Sequence, residues 1–184
     1  MPRAELTDAV VAAAAAGDTD ALGAIYAALA PAVLGYLRAR SIDDAEGVTN
    51  DVFVKLLPQI PNVRGGADGV RKLTFTIARA RMIDHLRALG RGAPTIAYEP
   101  DADRRSVPSA EDDAHAALSL ARVRAVLDLL PDDQRDVLLL RVVADLSLEQ
   151  VAQIIGRSTG AVKQLQRRGM VALRAALEER RVTL

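Results

Sequence analysis

A chain of 184 residues with 24 basic and 24 acidic side chains, half of it apolar, has the composition of an ordinary globular protein and excludes a wholly disordered one. Aromatic residues make up 3% and Trp is absent, while Ala and Leu abound, so helix formers dominate and an all-α fold in one domain or two small ones is expected. The absence of cysteine excludes disulfides and thiolate metal sites, and two isolated histidines leave nothing for a zinc centre or a catalytic triad, so no metal, cofactor or redox chemistry is expected.

The longest apolar stretch, Ala9 to Ala16, lies between Asp8 and Asp18, is far too short for a membrane span, and follows Glu5 where a signal peptide would be positive. A soluble, cytoplasmic chain without membrane insertion is expected. In chain order, a helix over Leu6–Ala16 breaks at Gly17-Asp18. Asp18 then caps a long helix with Leu22, Ile25, Tyr26, Leu29, Val33, Leu34 and Leu37 at helical spacing, kinked at Pro31. After Ser41, the acids Asp43, Asp44 and Glu46 occupy the first turn of a helix with Val48, Val52, Phe53 and Leu56 on its apolar side, ending before Pro58. Three acids there are read as dipole partners or a protein-contact face rather than a metal site.

A Gly-rich loop over Asn62–Gly69 leads into a basic helix from Val70 to about Leu89. The expected apolar stripe is Leu73, Ile77, Ala78 or Ala80, Ile83 and Leu86, leaving Arg71, Lys72, Arg79, Arg81 and Arg87 for other faces. His85 on this helix is read as a surface or DNA-side residue, and His115 is assigned no chemistry. Gly, Pro, Ser and acids dominate 90–113, which reads as a linker whose two dozen residues reach ~80 Å when extended. That length would let two domains hold points two DNA turns apart, ~70 Å. Its composition suits a plain solvated tether.

Helical periodicity resumes over Leu118–Leu130. Pro131 with Asp132 and Asp133 opens a helix through Val142, Ser147 to Gln150 form a capping box on a short helix to Ile155, and Gly156 ends it. Ser158 is placed to cap a long basic helix from Thr159 towards Glu179. A short helix, a Gly turn and a second helix rich in Lys, Arg and Gln is the helix-turn-helix pattern. Val151, Ile154 and Ile155 would pack on Val162 and Leu165, turning Lys163, Gln164, Arg167 and Arg168 outward, where Arg and Lys read guanine, Gln reads adenine, and all hold phosphates. A helical hairpin with a solvated basic face has the same local pattern.

Charge is blocked along the chain. Residues 61–92 carry seven Lys and Arg against two acids, and residues 151–184 repeat that ratio, while 1–60 and 93–117 are acidic. Two basic blocks suit two separate contacts with a polyanion, or two solvated basic faces.

Beyond these patterns, Leu130-Pro131-Asp132-Asp133-Gln134-Arg135 through Arg141, Leu146-Ser147-Leu148-Glu149-Gln150-Val151-Ala152 and Gly160-Ala161-Val162-Lys163 together resemble region 4 of extracytoplasmic-function (ECF) sigma factors. Asp44-Ala45-Glu46 with Val52-Phe53-Val54-Lys55-Leu56, and Phe75-Thr76-Ile77-Ala78-Arg79 followed by Ile83-Asp84-His85-Leu86-Arg87, resemble their region 2. The resemblance covers about residues 17–178, in the family's order. It departs from the family pattern at Gly47, Asn50, Leu73, Ala80 and Leu165-Gln166.

The resemblance implies a non-enzymatic initiation factor that brings RNA polymerase to promoters. Residues 1–89 would be region 2, 90–113 the acidic linker, and 114–184 region 4. Core polymerase would meet Asp44, Glu46, Asn50, Asp51 and Lys55. The minus-10 element would meet Asn62, Arg64, Arg71, Lys72, Arg79, Ala80, Asp84 and Arg87, with a capture pocket near the Asn62–Gly69 loop. The minus-35 element would meet Ser158, Thr159, Lys163, Gln164, Arg167 and Arg168. Core polymerase, promoter DNA and an anti-sigma factor are the implied partners. The rival readings are an ordinary helix-turn-helix regulator, disfavoured by the Phe75–Arg87 string and by the lack of an apolar pocket signature, and an enzyme acting on nucleic acid, disfavoured by the missing catalytic clusters.

Overall fold

The computed structural model describes residues 5–90 and 122–182, with side chains through 88 and 179 respectively. The described residues are helical, without a strand. The expected linker over 90–113 and His115 lie almost wholly outside them, as does the start of the helix expected at Leu118.

The N-terminal half is a four-helix bundle: α1 Asp8–Ala15, α2 Thr19–Ala39, α3 Ala45–Leu56 and α4 Gly66–Gly90. Thr7 caps α1, and Asp18 caps α2 by accepting from the backbone of Asp20 and Ala21. The stripe Ile25, Leu29, Val33, Tyr36 and Leu37 of α2 is wholly buried, each such side chain contributing ~1.5–3 kcal/mol of transfer free energy. By length and composition α2 is apolar enough to cross a membrane. Its stripe instead forms the axis of the bundle core. The helix continues through Pro31, whose ring is exposed, so the hydrogen bond it forfeits lies on the solvent side.

At the next boundary α3 ends at Leu56, ahead of Pro58 as expected, and Pro58 and Pro61 sit in a 3₁₀ turn, Leu57–Asn62, whose Ile60 is buried. One expectation there is corrected. The Gly-rich loop shrinks to residues 63–65, because Gly66 to Gly69 already belong to α4. The helix starts early because Asp8, 59 residues away, accepts from the Ala67 N–H at 2.7 Å and supplies both cap and negative charge at the positive end of the dipole. The buried face of α4 is Val70, Thr74, Phe75, Ala78 and Met82; of the expected stripe only Ala78 is fully buried, while Leu73, Ile77 and Ile83 are half-buried and Ala80 and Leu86 are exposed.

The C-terminal half comprises a helical turn over 122–127 (α5), α6 Asp132–Val142, α7 Leu148–Ile155 and α8 Thr159–Val182. Val137, Leu140, Ala144, Leu146, Val151 and Val162 form its fully buried centre. The two halves are in contact, and their buried side chains form one continuous cluster.

Candidate functional site

The α3 face projects as the sequence leads one to expect. Asp44 is the N-cap, its Oδ1 accepting from the Gly47 N–H at 3.0 Å, while Asp43 lies outside the helix and only Glu46 is in its first turn. Gly47 has a physical reason here: a Cβ at that position would stand 2.2 Å from the Asp44 carboxylate, so a side chain would displace the cap. Glu46 is paired with Arg38 of α2. Partial burial pushes its carboxyl up, but the Arg38 hydrogen bond and charge, with a backbone N–H, outweigh that and hold it below the usual range. Asn50 accepts from the Tyr26 hydroxyl at 3.5 Å. Asp44, Glu46, Asn50, Asp51 and Lys55 are all exposed. Between them lies Val54, 70% exposed, which the apolar pattern did not single out.

The expected minus-10 residues divide into two sets. Asn62, Arg64, Ala80, Asp84 and Arg87 are exposed, and Arg71 is half-buried. Lys72 and Arg79, by contrast, are engaged by the C-terminal half: Lys72 Nζ donates to Gln153 Oε1 at 3.1 Å and Arg79 Nε to Asp136 Oδ2 at 2.6 Å. The cations of α4 therefore do not form one uninterrupted open stripe.

The α7–α8 pair has the geometry of a helix-turn-helix. The Ser147 Oγ accepts from the Gln150 N–H at 3.2 Å while Gln150 Oε1 accepts from the Ser147 N–H at 2.7 Å, closing the capping box. Gly156 ends α7 at φ +69°, a left-handed conformation that glycine adopts without penalty. Ser158 Oγ accepts from the Ala161 N–H at 3.2 Å, so that oxygen is used as the cap of α8. Val151 and Val162 are both fully buried in the apolar cluster, and Leu165 is half-buried. Ser158, Thr159, Lys163, Gln164, Arg167 and Arg168 are all exposed, as expected from the packing.

An apolar groove that no sequence signal indicated opens on the C-terminal half. It encloses ~600 Å³ between Val123, Leu127, Leu139, Val142, Met170 and Leu177, with Val142 73% exposed. Its residues look in the sequence like core positions, which is why the pattern concealed it.

Comparison with known proteins agrees with both halves of this arrangement. Residues 126–175 match the family model "Sigma-70, region 4". The chain is 34% identical over 180 residues to the ECF RNA polymerase sigma factor SigD of Mycobacterium tuberculosis, covering 92% of this chain and 83% of that protein. It is 30% identical over 185 residues to ShbA, an ECF RNA polymerase sigma factor of Streptomyces griseus, covering 93% and 95%. Among solved structures it is similar in fold to CnrH in complex with the cytosolic domain of CnrY, with TM-score 0.68, 24% identity, and 95% and 99% of the two chains covered. It is similar also to the sigma factor RpoE in complex with the anti-sigma factor NepR from Bartonella quintana, with TM-score 0.60, 23% identity, and 83% and 94% covered. Relatives 34% and 30% identical, matched over 83% and 95% of their own length, identify it: the chain belongs to the ECF RNA polymerase sigma factors.

Proposed function

We propose that residues 1–89 work as region 2, docking core polymerase on the exposed α3 face and meeting the minus-10 element through α4, while residues 114–184 work as region 4 on the minus-35 element, with 90–113 between them. The chain is a recruiting and DNA-reading factor of the cytoplasm and carries out no covalent chemistry. Asp44, Glu46, Asn50, Asp51 and Lys55, around Val54, meet polymerase. Asn62, Arg64, Arg71, Lys72, Arg79, Ala80, Asp84 and Arg87 meet the minus-10 region, where capture of an unstacked base costs a few kcal/mol, offset by stacking and backbone contacts.

The observation that carries the reading is the α8 surface: burial of Val162 fixes the rotation of the helix, and that rotation presents Lys163, Gln164, Arg167 and Arg168 together to solvent. The apolar groove around Val142 and Met170 supports an anti-sigma partner, since its lining suits the apolar face of a helix, and RpoE was solved in complex with the anti-sigma factor NepR.

The test is alanine substitution at Lys163, Gln164, Arg167 and Arg168, assayed by transcription with core polymerase on a randomised minus-35 library at two salt concentrations. A residue that reads a base loses ~1–3 kcal/mol and relaxes preference at one base pair; one that holds a phosphate weakens all sequences alike and lowers the salt slope by about one. Wild-type strength and preference in all four variants would remove α8 from the groove.

A further inference from the structure

The loop at 63–65 is held on both sides by α1. That helix, with Val11 and Ala14 buried, packs on the 3₁₀ turn before the loop and on α4 after it. Asp8, exposed in the first turn of α1, accepts at Oδ1 from the Ala67 N–H at 2.7 Å. The approach is close: a Cβ on Gly66 would stand 2.0 Å from that same oxygen, and Gly66 lies at φ +55°. Gly65 lies at φ +89° and its carbonyl accepts from the Gly69 N–H at 2.9 Å, so the chain enters α4 through two consecutive left-handed glycines. Val63 is half-buried against the core, while Asn62 and Arg64 on either side of it are exposed.

We infer that Asp8 is a positioning residue for capture of the unstacked minus-10 base: by tying the first turn of α4 to α1 it fixes the 63–65 loop, with Asn62 and Arg64, in the shape that receives the base. This rests on the sigma-factor reading above. Two features set the contact apart from an ordinary helix cap. A capping side chain normally comes from the residue that precedes the helix, but Gly65 has none, and the oxygen arrives from 59 positions away. The path of the loop is therefore set by where α1 lies. Gly66, in turn, leaves room for the carboxylate that any Cβ would expel. A binding loop is selective only when its contacts are held to about 0.5 Å, and a three-residue loop with two glycines after its last side chain needs that hold from outside itself.

The test uses the chain with core polymerase on templates carrying a fixed minus-35 element and a randomised minus-10 element. Asp8→Ala, which leaves the Thr7 cap of α1 in place, should lower enrichment at one minus-10 position by about tenfold, the scale of one lost base contact, with capture of core polymerase unchanged. Asp8→Asn keeps an acceptor oxygen and should restore the enrichment. Gly66→Ala, which expels the carboxylate from the other side, should relax the same position, and the double variant with Asp8→Ala should be no worse than the more affected single one. In the free chain, hydrogen exchange at the Ala67 amide should speed up about tenfold or more in Asp8→Ala and return in Asp8→Asn, with the buried amides of α2 unchanged. Unchanged enrichment in Asp8→Ala, an equal loss over all minus-10 sequences, or no rescue by Asp8→Asn overturns the assignment. A wild-type chain that gives polymerase no start sites counts instead against the sigma-factor reading, and unchanged Ala67 exchange in Asp8→Ala would still overturn the hold on the loop.

Discussion

Tyr36 shows how a single residue joins the two halves. Burial, and then the adjacent Asp136 carboxylate, push its phenol well above the ordinary 10.0, because ionisation would place a second negative charge in a dry site. A pKa raised on folding contributes stability that is fully present below the unfolded value and is lost as pH rises through the folded one. Urea unfolding followed from pH 8 to 11 should therefore show wild-type stability falling above about pH 10 more steeply than that of Tyr36→Phe; parallel curves would contradict it. Gly69 is the second telling residue. A Cβ there would sit 2.0 Å from the Arg64 backbone carbonyl, which no side-chain rotation relieves. Gly69→Ala should destabilise the N-terminal half by ~1–3 kcal/mol in spite of the better helix propensity of Ala, read as a drop in its unfolding midpoint.

At the scale of elements, α3 carries the most direct expectation about partners. The Arg38–Glu46 pair is largely exposed, so its loss costs at most ~1 kcal/mol of stability. Reversing Glu46 and Asp51 to Lys should leave the fold intact while weakening capture of core polymerase at moderate salt; a pull-down with unchanged affinity would move the interface off α3. The α7–α8 pair was readable from the sequence because every signal in it is local: Ser147 with Gln150, then Gly156, then Ser158, within a dozen residues. The start of α4 was not, because its cap is Asp8, contributed by another helix. The buried face of α4 was misassigned for a related reason. Its apolar residues surround the helix, and which of them are buried depends on where α1, α2 and α3 lie against it.

For the whole molecule, the two family-like strings and their order made the family legible. The docking of the halves was not legible. Asp136 reads locally as one more polar residue on α6, and its partner Tyr36 is 100 positions away. The apolar groove was hidden in the same way, since Val142 and Met170 have the spacing of core residues and are exposed because no other described element covers them. The central claim is that this chain confers start-site selection on core polymerase through two separated DNA contacts. The direct measurement is transcription by bacterial core polymerase, with and without the chain, from a template pool randomised at both promoter elements. Defined start sites are expected only when the chain is present, with sequence enrichment at both elements and little specific binding of duplex by the chain alone. Tight, sequence-specific binding by the isolated chain, with no start sites gained by polymerase, would contradict it.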